Sequence, residues 1–269
     1  MSATDRREPS EKVRQRRRLV IAGSLSLVLV AIAVLVVGYV TGLPSSGGSS
    51  TAAEETPTPT PRPSPGEPPA PASVDTFNRA ANSVDDPNSI WVVVNKLRPI
   101  TPQDFEPGDL VEVPVEYTNE PELRQQAADA VVAMFDAALA EAGLELASNS
   151  AYRSYFAQEN VYDGDDATTA RPGFSEHQTG LSIDIGPSSG ECSLDVCFAD
   201  TPEGIWLRDN AHRFGFILRY PADKTPVTGY TFEPWHFRYV GTELAAEMRE
   251  TGVTTLEEFF GLPAAPDYG

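Results

Sequence analysis

Cysteine, histidine and positive charge are all scarce in this sequence. It contains two Cys, three His and 20 Lys+Arg against 39 Asp+Glu, which gives a formal net charge of -19. Two cysteines are too few for a cysteine-rich zinc module or a disulfide-dense scaffold. The acidic excess argues against nucleic acid as a partner, because binding phosphates requires clustered Lys and Arg. Any metal site that uses imidazole must draw on His177, His212 or His236.

Charged residues are also missing from residues 19–40, a run of 22 residues near the start of the chain. A helix that rises ~1.5 Å per residue would cross a bilayer over that length. Residues 1–18 carry seven Lys or Arg and three acidic residues, so the positive-inside rule predicts a basic cytoplasmic tail. A cleaved signal peptide is the alternative, but its apolar region is usually shorter, ~7–15 residues. We therefore expect a single-pass protein of the cell membrane, with everything after the helix outside the cytoplasm.

Residues 41–74 contain few large apolar residues and consist mostly of Gly, Ser, Thr, Pro, Ala and Glu. Such a composition cannot offset the entropy of ordering the chain, so it predicts a disordered linker. The proline-rich half favours extended geometry and some stiffness. A proline-rich ligand for another domain is an alternative interpretation.

Residues 75–262 are predicted to form the folded domain, followed by a C-terminal tail at 263–269. The β-branched run at residues 90–95 suggests a strand, and helical spacing after Pro121 suggests a helix that ends near Gly143. Another short helix is expected after Ser154, as its N-cap. Strands and helices do not alternate in regular βαβ units. The sequence therefore predicts an α+β fold with a small antiparallel sheet, rather than a doubly wound fold.

The first candidate site segment runs from residue 171 to 186. Apolar and polar residues alternate after Gly180, which is typical of a half-buried strand, and Asp184 falls on the face opposite the isoleucines. His177 precedes a glycine-containing turn that would let its imidazole fold back toward that polar face. The pair offers one nitrogen and one oxygen ligand, although an Asp in this pattern can also simply face solvent.

The second segment is FEPWHFRYV, residues 232–240. His236 lies on the polar face of an alternating strand, and a bend at Pro234 would bring Glu233 to the same site. Two His and one carboxylate leave an open position on zinc for water, and Glu233 is suited to accept that water's proton. A lone His on a strand is more often structural. We expect His212, in a helical segment, to have a structural role.

Several motifs together resemble the zinc D-alanyl-D-alanine carboxypeptidases of the VanY type. SEHQTGLSID and EPWH carry the resemblance, and it extends through VNKLRPI, FEPGDLV, AYRSYFAQ, NAHRFGFILRYP and TGYTFEPWHFRYVG, about residues 90–241. The wider group includes lysostaphin-like peptidases and the hedgehog signalling domain. The resemblance implies one Zn²⁺ per domain, held by His177, Asp184 and His236, with Glu233 as the catalytic base.

The same resemblance implies how substrate is bound and cleaved. Arg153 would contact a substrate carbonyl or carboxylate, and Gln158 and Ser175 are further expected contacts. Ser182 is a departure, since the family often has Ala there, and we expect it to tune activity. The implied activity removes the C-terminal D-alanine from peptidoglycan stem peptides, as a D,D-carboxypeptidase. An L,D-carboxypeptidase or endopeptidase on the same scaffold, or a non-catalytic cell-wall peptide binder, are the alternatives.

Cys192 and Cys197 are separated by four residues. Outside the cytoplasm a disulfide between them is sterically plausible and would close a short loop near Asp184. Metal ligation by these thiols is the alternative.

Overall fold

The computed structural model describes residues 77–269. The predicted basic tail, membrane helix and linker, residues 1–74, lie outside the described residues. Within residues 77–269, no helix combines the length and apolar character needed to cross a membrane.

Short strands and helices are interspersed along the described chain. The strands are β1 Leu110–Glu112, β2 Glu122–Arg124, β3 Leu146–Ser150, β4 Ser182–Pro187, β5 Phe216–Leu218 and β6 His236–Tyr239. The α-helices are α1 Gln125–Ala142, α2 Tyr155–Val161, α3 Pro202–Asn210, α4 Thr225–Thr228, α5 Thr242–Thr251 and α6 Leu256–Phe260. Short 3₁₀ helices span Glu176–Thr179, Val196–Asp200 and Ala211–Phe214.

The strands form two antiparallel sheets. One has four strands in the order β3-β4-β6-β5, and the other is the pair β1-β2. The predicted α+β class with a small antiparallel sheet is thus confirmed for the described residues. In the larger sheet, β4 and β6 are paired so that Asp184 lies opposite His236.

Helix α1 supplies much of the core that supports this sheet. Its buried positions recur at helical spacing, including Val131, Met134 and Ala138, and they belong to one apolar cluster with the buried isoleucines of β4. The helix ends where predicted, because Gly143 adopts a left-handed conformation (φ 69°) that returns its N–H to the last turn. The predicted cap of α2 is also present, since the Ser154 side chain accepts a hydrogen bond from the Ala157 N–H.

The strand predicted at residues 90–95 is wrong. Trp91, Val92, Val93 and Val94 are buried as their apolar character requires, but they form no strand. Side chains bond the main-chain carbonyls that a neighbouring strand would otherwise use: the carbonyl of Val92 accepts from the guanidinium of Arg238 and that of Val93 from the guanidinium of Arg98. The β-branched composition of this run is explained by its burial, not by strand pairing.

Residues 263–269, assigned from sequence to a tail, pack on the domain. Ala265 is fully buried and its N–H donates to the carbonyl of Val227 at 2.8 Å. The buried ammonium of Lys96 lies 2.6 Å from the carbonyl oxygen of Gly229 and 3.2 Å from that of Pro266. Residues 265 and 266 therefore both bond the rest of the domain.

Candidate active site

Strand pairing and one short turn bring the three predicted metal ligands together. Asp184 of β4 lies opposite His236 of β6. The 3₁₀ helix Glu176–Thr179 presents His177, and Gly180 (φ 66°) reverses the chain into β4. One ligand atom from each of His177, Asp184 and His236 lies within 4.8 Å of the others. All three side chains are buried.

The two imidazoles present different nitrogens to the site. The Nδ1–H of His177 donates to the carbonyl of Ala151 at 2.7 Å, so its Nε2 carries the free lone pair, 3.3 Å from Asp184 Oδ2. His236 presents its Nδ1, which lies 3.2 Å from Asp184 Oδ1. A main-chain carbonyl that bonds the second nitrogen of a metal-binding His is a usual way to fix its tautomer.

The donor set fits zinc. Two imidazole nitrogens and one carboxylate are common ligands of a catalytic Zn²⁺ with an open position. Asp184 Oδ1 is buried and has no hydrogen-bond partner among the described residues. Such an atom is costly unless a ligand satisfies it. Burial lowers the pKa of His177, which favours the neutral form that a metal requires.

Glu233 lies beside this set without belonging to it. The His236 N–H donates to the Glu233 carbonyl at 3.1 Å, which closes the turn at Pro234 and puts both side chains at the site, as predicted. Glu233 Oε2 lies 3.6 Å from His236 Nδ1. Burial raises the pKa of Glu233 to about 8. For His236 burial acts in the opposite direction, but the Asp184 and Glu176 carboxylates raise its pKa to about 9.

Behind His236 lies a buried carboxylate that the sequence reasoning missed. Glu176 Oε2 is 3.6 Å from His236 Nε2, and Glu176 Oε1 accepts from Arg219 at 2.8 Å and from Arg238 at 2.9 Å. Burial opposes ionisation, but the two guanidinium groups hold the pKa of Glu176 far below its usual range. Only its position next to His177 could have drawn attention to it. Its arginine partners are distant in sequence.

The predicted substrate-binding residues lie around the segment that carries His177. The Arg153 N–H donates to the His177 carbonyl at 3.2 Å, and its Nε donates to Gln158 Oε1 at 2.6 Å. Burial lowers the pKa of Arg153, whereas the nearby Asp184 and Glu233 carboxylates act to raise it. Gln158 is fully buried, and its amide nitrogen also donates to the Ala170 carbonyl. Ser175 is buried at the start of the 3₁₀ helix that carries His177.

The remaining sequence predictions concern His212 and the two cysteines. His212 lies in the 3₁₀ helix Ala211–Phe214 and is not part of the three-residue group that could hold a metal. The predicted disulfide between Cys192 and Cys197 is present, with the two Cα atoms 5.5 Å apart. It closes the loop that follows β4.

The chain is similar to known proteins in both sequence and structure. Residues 120–242 match the family model of VanY, described as D-alanyl-D-alanine carboxypeptidase. The YodJ protein of Bacillus subtilis (strain 168) is 42% identical over 192 residues, which cover 66% of this chain and 69% of that protein. The structure of the LdcB LD-carboxypeptidase is 42% identical with a TM-score of 0.61, covering 65% of this chain and 87% of that one.

A third relative is a mutant of the vancomycin resistance D,D-pentapeptidase VanY from a VanB-type cassette, solved in complex with Zn(II). It is 33% identical with a TM-score of 0.52, and the match covers 62% of this chain and 97% of that one. The family resemblance read from the motifs is thereby confirmed. This chain belongs to the VanY family of D-alanyl-D-alanine carboxypeptidases.

Proposed function

We propose that this protein is a zinc carboxypeptidase that removes the C-terminal D-alanine from peptidoglycan stem peptides. The observation that carries the proposal is the convergence of His177, Asp184 and His236 on one point, with Glu233 beside them as a separate buried carboxylate. Three ligands and an adjacent unligated base are the parts that metal-assisted hydrolysis requires. A module that only binds peptides has no use for the base.

The chemistry divides between the metal and the chain. Bound zinc supplies Lewis acidity, which polarises a carbonyl and lowers the pKa of water. Glu233 takes a proton from the attacking water as the water oxygen adds to the scissile carbonyl carbon. It then delivers the proton to the nitrogen of D-alanine as the C–N bond breaks. Burial raises the pKa of Glu233, which favours its accepting a proton in this step.

Arg153 is the group best suited to the terminal carboxylate of the substrate. Its planar guanidinium can give two parallel hydrogen bonds to a carboxylate. Among the described residues, Gln158 alone bonds the guanidinium, through Nε, so the two terminal nitrogens are free for a ligand. This assignment makes Gln158 a positioning residue rather than a direct contact. A requirement for a free carboxylate explains why the product is a single C-terminal residue.

Two substrates fit this chemistry, and the relatives favour different ones. A D,D-carboxypeptidase acts on the pentapeptide that ends in D-Ala-D-Ala, which agrees with the description of the family model. An L,D-carboxypeptidase acts on the tetrapeptide, and the higher identity to LdcB, 42% against 33% for the D,D-pentapeptidase, favours that second candidate. The D,D activity is the first candidate because the description of the family model names it.

The test presents both peptides to the full chain with zinc and reads the products by mass. Loss of one alanine from the pentapeptide supports the D,D activity. Loss from the tetrapeptide alone supports the L,D activity. Cleavage of neither peptide, with binding of either, supports a non-catalytic binder and contradicts the proposal. A Glu233→Ala variant run in parallel controls for contaminating peptidases.

We also propose that residues 19–40 anchor the enzyme in the cell membrane, with the catalytic domain outside. The apolar length and the positive charge before it support this orientation. A protease added to intact cells should then remove the domain and spare a tag placed before residue 1. Recovery of the full-length chain in the culture medium contradicts anchoring.

A further inference from the structure

The segment that leads into the site, residues 162–175, contains neither helix nor strand. It joins α2 to the 3₁₀ helix of His177 and ends at Ser175. A connection of 14 residues without secondary structure depends on side chains and neighbouring segments for its shape. Two backbone bonds hold it: the carbonyl of Ala167 accepts from Thr231 N–H at 3.0 Å, and that of Gly173 from Ile100 N–H at 2.8 Å.

The side chain of Tyr268, close to the C-terminal end of the domain, also holds this segment. The Tyr268 hydroxyl accepts the Arg171 N–H at 2.8 Å, and the Arg171 guanidinium lies 4.0 Å from the centre of the Tyr268 ring. Phe174 meets the same ring edge to face, with centroids 5.0 Å apart. One side chain therefore contacts the segment at both Arg171 and Phe174.

These contacts lead directly to the proposed substrate-binding group. Ala170, next to Arg171, accepts a hydrogen bond from Gln158 Nε2 at 2.7 Å. Gln158 Oε1 in turn accepts from Arg153 Nε at 2.6 Å. Displacement of residues 170–171 would remove the support of Gln158 and let the Arg153 guanidinium turn. Both hydrogen bonds are short, so the arrangement tolerates little movement.

Tyr268 is itself held on the domain. Its hydroxyl lies 3.3 Å from that of Tyr230, and the Lys96 ammonium is 5.6 Å from its ring centre. The preceding residues are tied to α4 and to the residue after it: Ala265 bonds Val227, and Lys96 bonds both Gly229 and Pro266. The Tyr268 side chain thus connects Arg171 and Phe174 to Tyr230 and Lys96.

We propose that Tyr268 is a positioning residue for substrate binding, which acts through Arg171 and Ala170 on Gln158 and Arg153. The inference rests on the proposed function, because Arg153 must be the group that binds the substrate carboxylate. It predicts a specific kinetic signature. Ground-state binding should weaken, while the metal ligands and Glu233 keep their positions.

The test compares Tyr268→Ala and Tyr268→Phe with the parent, using the full chain with zinc and the peptide that the parent cleaves. We expect Tyr268→Ala to raise KM at least about five-fold with kcat changed less than about two-fold, the pattern of lost substrate binding. Tyr268→Phe, which keeps the ring and loses the hydroxyl, should give a smaller rise. Zinc affinity, measured by chelator competition, should be the same in all three.

The matched control is Tyr117→Ala, which removes a tyrosine with 47% of its surface exposed. It should leave KM unchanged. An unchanged KM in folded Tyr268→Ala would overturn the inference, and so would a rise in KM accompanied by an equal loss of zinc affinity. In both cases turnover by the parent still supports the proposed function. If Tyr268→Ala does not fold, the KM of Tyr268→Phe decides in the same way. A parent without turnover contradicts the proposed function and this inference with it.

Discussion

Two groups of buried charged side chains lie in contact in this protein. The structural cluster consists of Glu176, Arg219, Arg238 and Glu257, and the metal cluster consists of His177, Asp184, His236 and Glu233. In the structural cluster, every ion pair is at 2.7–3.0 Å, and Arg219 bonds both oxygens of Glu257. The remaining nitrogens of Arg238 bond main-chain carbonyls: Nη2 donates to those of residues 90 and 92, and Nε to that of Tyr239.

The metal cluster pairs carboxylates with imidazoles rather than guanidinium groups, and at longer distances. Its closest charged contacts are 3.2–3.6 Å, and Asp184 Oδ1 and His236 Nε2 have no hydrogen-bond partner among the described residues. A fully bonded buried network stabilises one arrangement of the core, whereas an incompletely bonded one is favourable only when a ligand completes it. The completeness of hydrogen bonding thus distinguishes the buried charges that stabilise the fold from those that are available to bind a ligand.

The largest expected effect is on turnover. Glu233→Ala should lower kcat at least about a thousand-fold, because proton transfer by a positioned group contributes about that much. Zinc should still bind, since the three ligands remain. Peptide hydrolysis and zinc content are measured on the same preparation. The exposed Glu243→Ala is the control, and undiminished turnover in Glu233→Ala would remove Glu233 from the mechanism.

The second effect is on the stability of the structural cluster. Glu176→Gln keeps the shape but removes the charge between Arg219 and Arg238, so it should cost about 3–5 kcal/mol of unfolding free energy. Denaturant unfolding measures this cost. Glu141→Gln, which affects an exposed pair with Arg213, should leave the unfolding curve unchanged. Equal stability of the two variants would mean that the structural cluster does not support the fold.

The third effect is on metal affinity. Asp184→Asn should weaken zinc binding roughly a hundred-fold or more, because it removes the charged ligand of the set. Competition with a chromogenic chelator gives the affinity. His212→Ala is the control, since that side chain lies outside the metal cluster. Zinc lost from His212→Ala instead would mean that the ligand set is misassigned.

The smallest expected effect is on stability at Glu233, and it compares the two clusters directly. Glu233→Gln, assayed with chelator present, should equal or exceed the parent in unfolding free energy at pH 7, by up to about 3 kcal/mol. The pKa of Glu233 rises to about 8 on folding, so its ionisation opposes folding as the pH rises from its ordinary value near 4.5 to 8. Glutamine removes that penalty. A loss of stability like that of Glu176→Gln would erase the distinction between the clusters.

Much of the local structure was predictable because its determinants are neighbours in sequence. Alternation after Gly180 predicted the strand that became β4, and the proline after Glu233 predicted the bend that lets Glu233 and His236 face one site. The spacing of Cys192 and Cys197 allowed the disulfide that the structure contains. Each of these signals needs only a few residues, and elementary backbone geometry translates it directly.

The failures share one cause. Residues 90–95 have the composition of a strand, but Arg98 and Arg238 bond two of their carbonyls. Glu176 belongs to a network whose arginines follow 43 and 62 residues later. Tyr268 meets Arg171 across 97 residues. No periodicity records such partners, because a side chain's local sequence does not encode what it meets after folding.

The sequence by itself determined the fold class, several of the short elements that carry the site and the residues able to bind a metal, since hydrophobic alternation, turn residues and ligand chemistry are local properties. Only the tertiary structure decided which nitrogen each imidazole presents, which buried charges are fully bonded and which segment supports Arg153. Those outcomes depend on contacts at hydrogen-bond distance between groups that the chain brings together from far apart, and such contacts require both a short distance and a favourable angle.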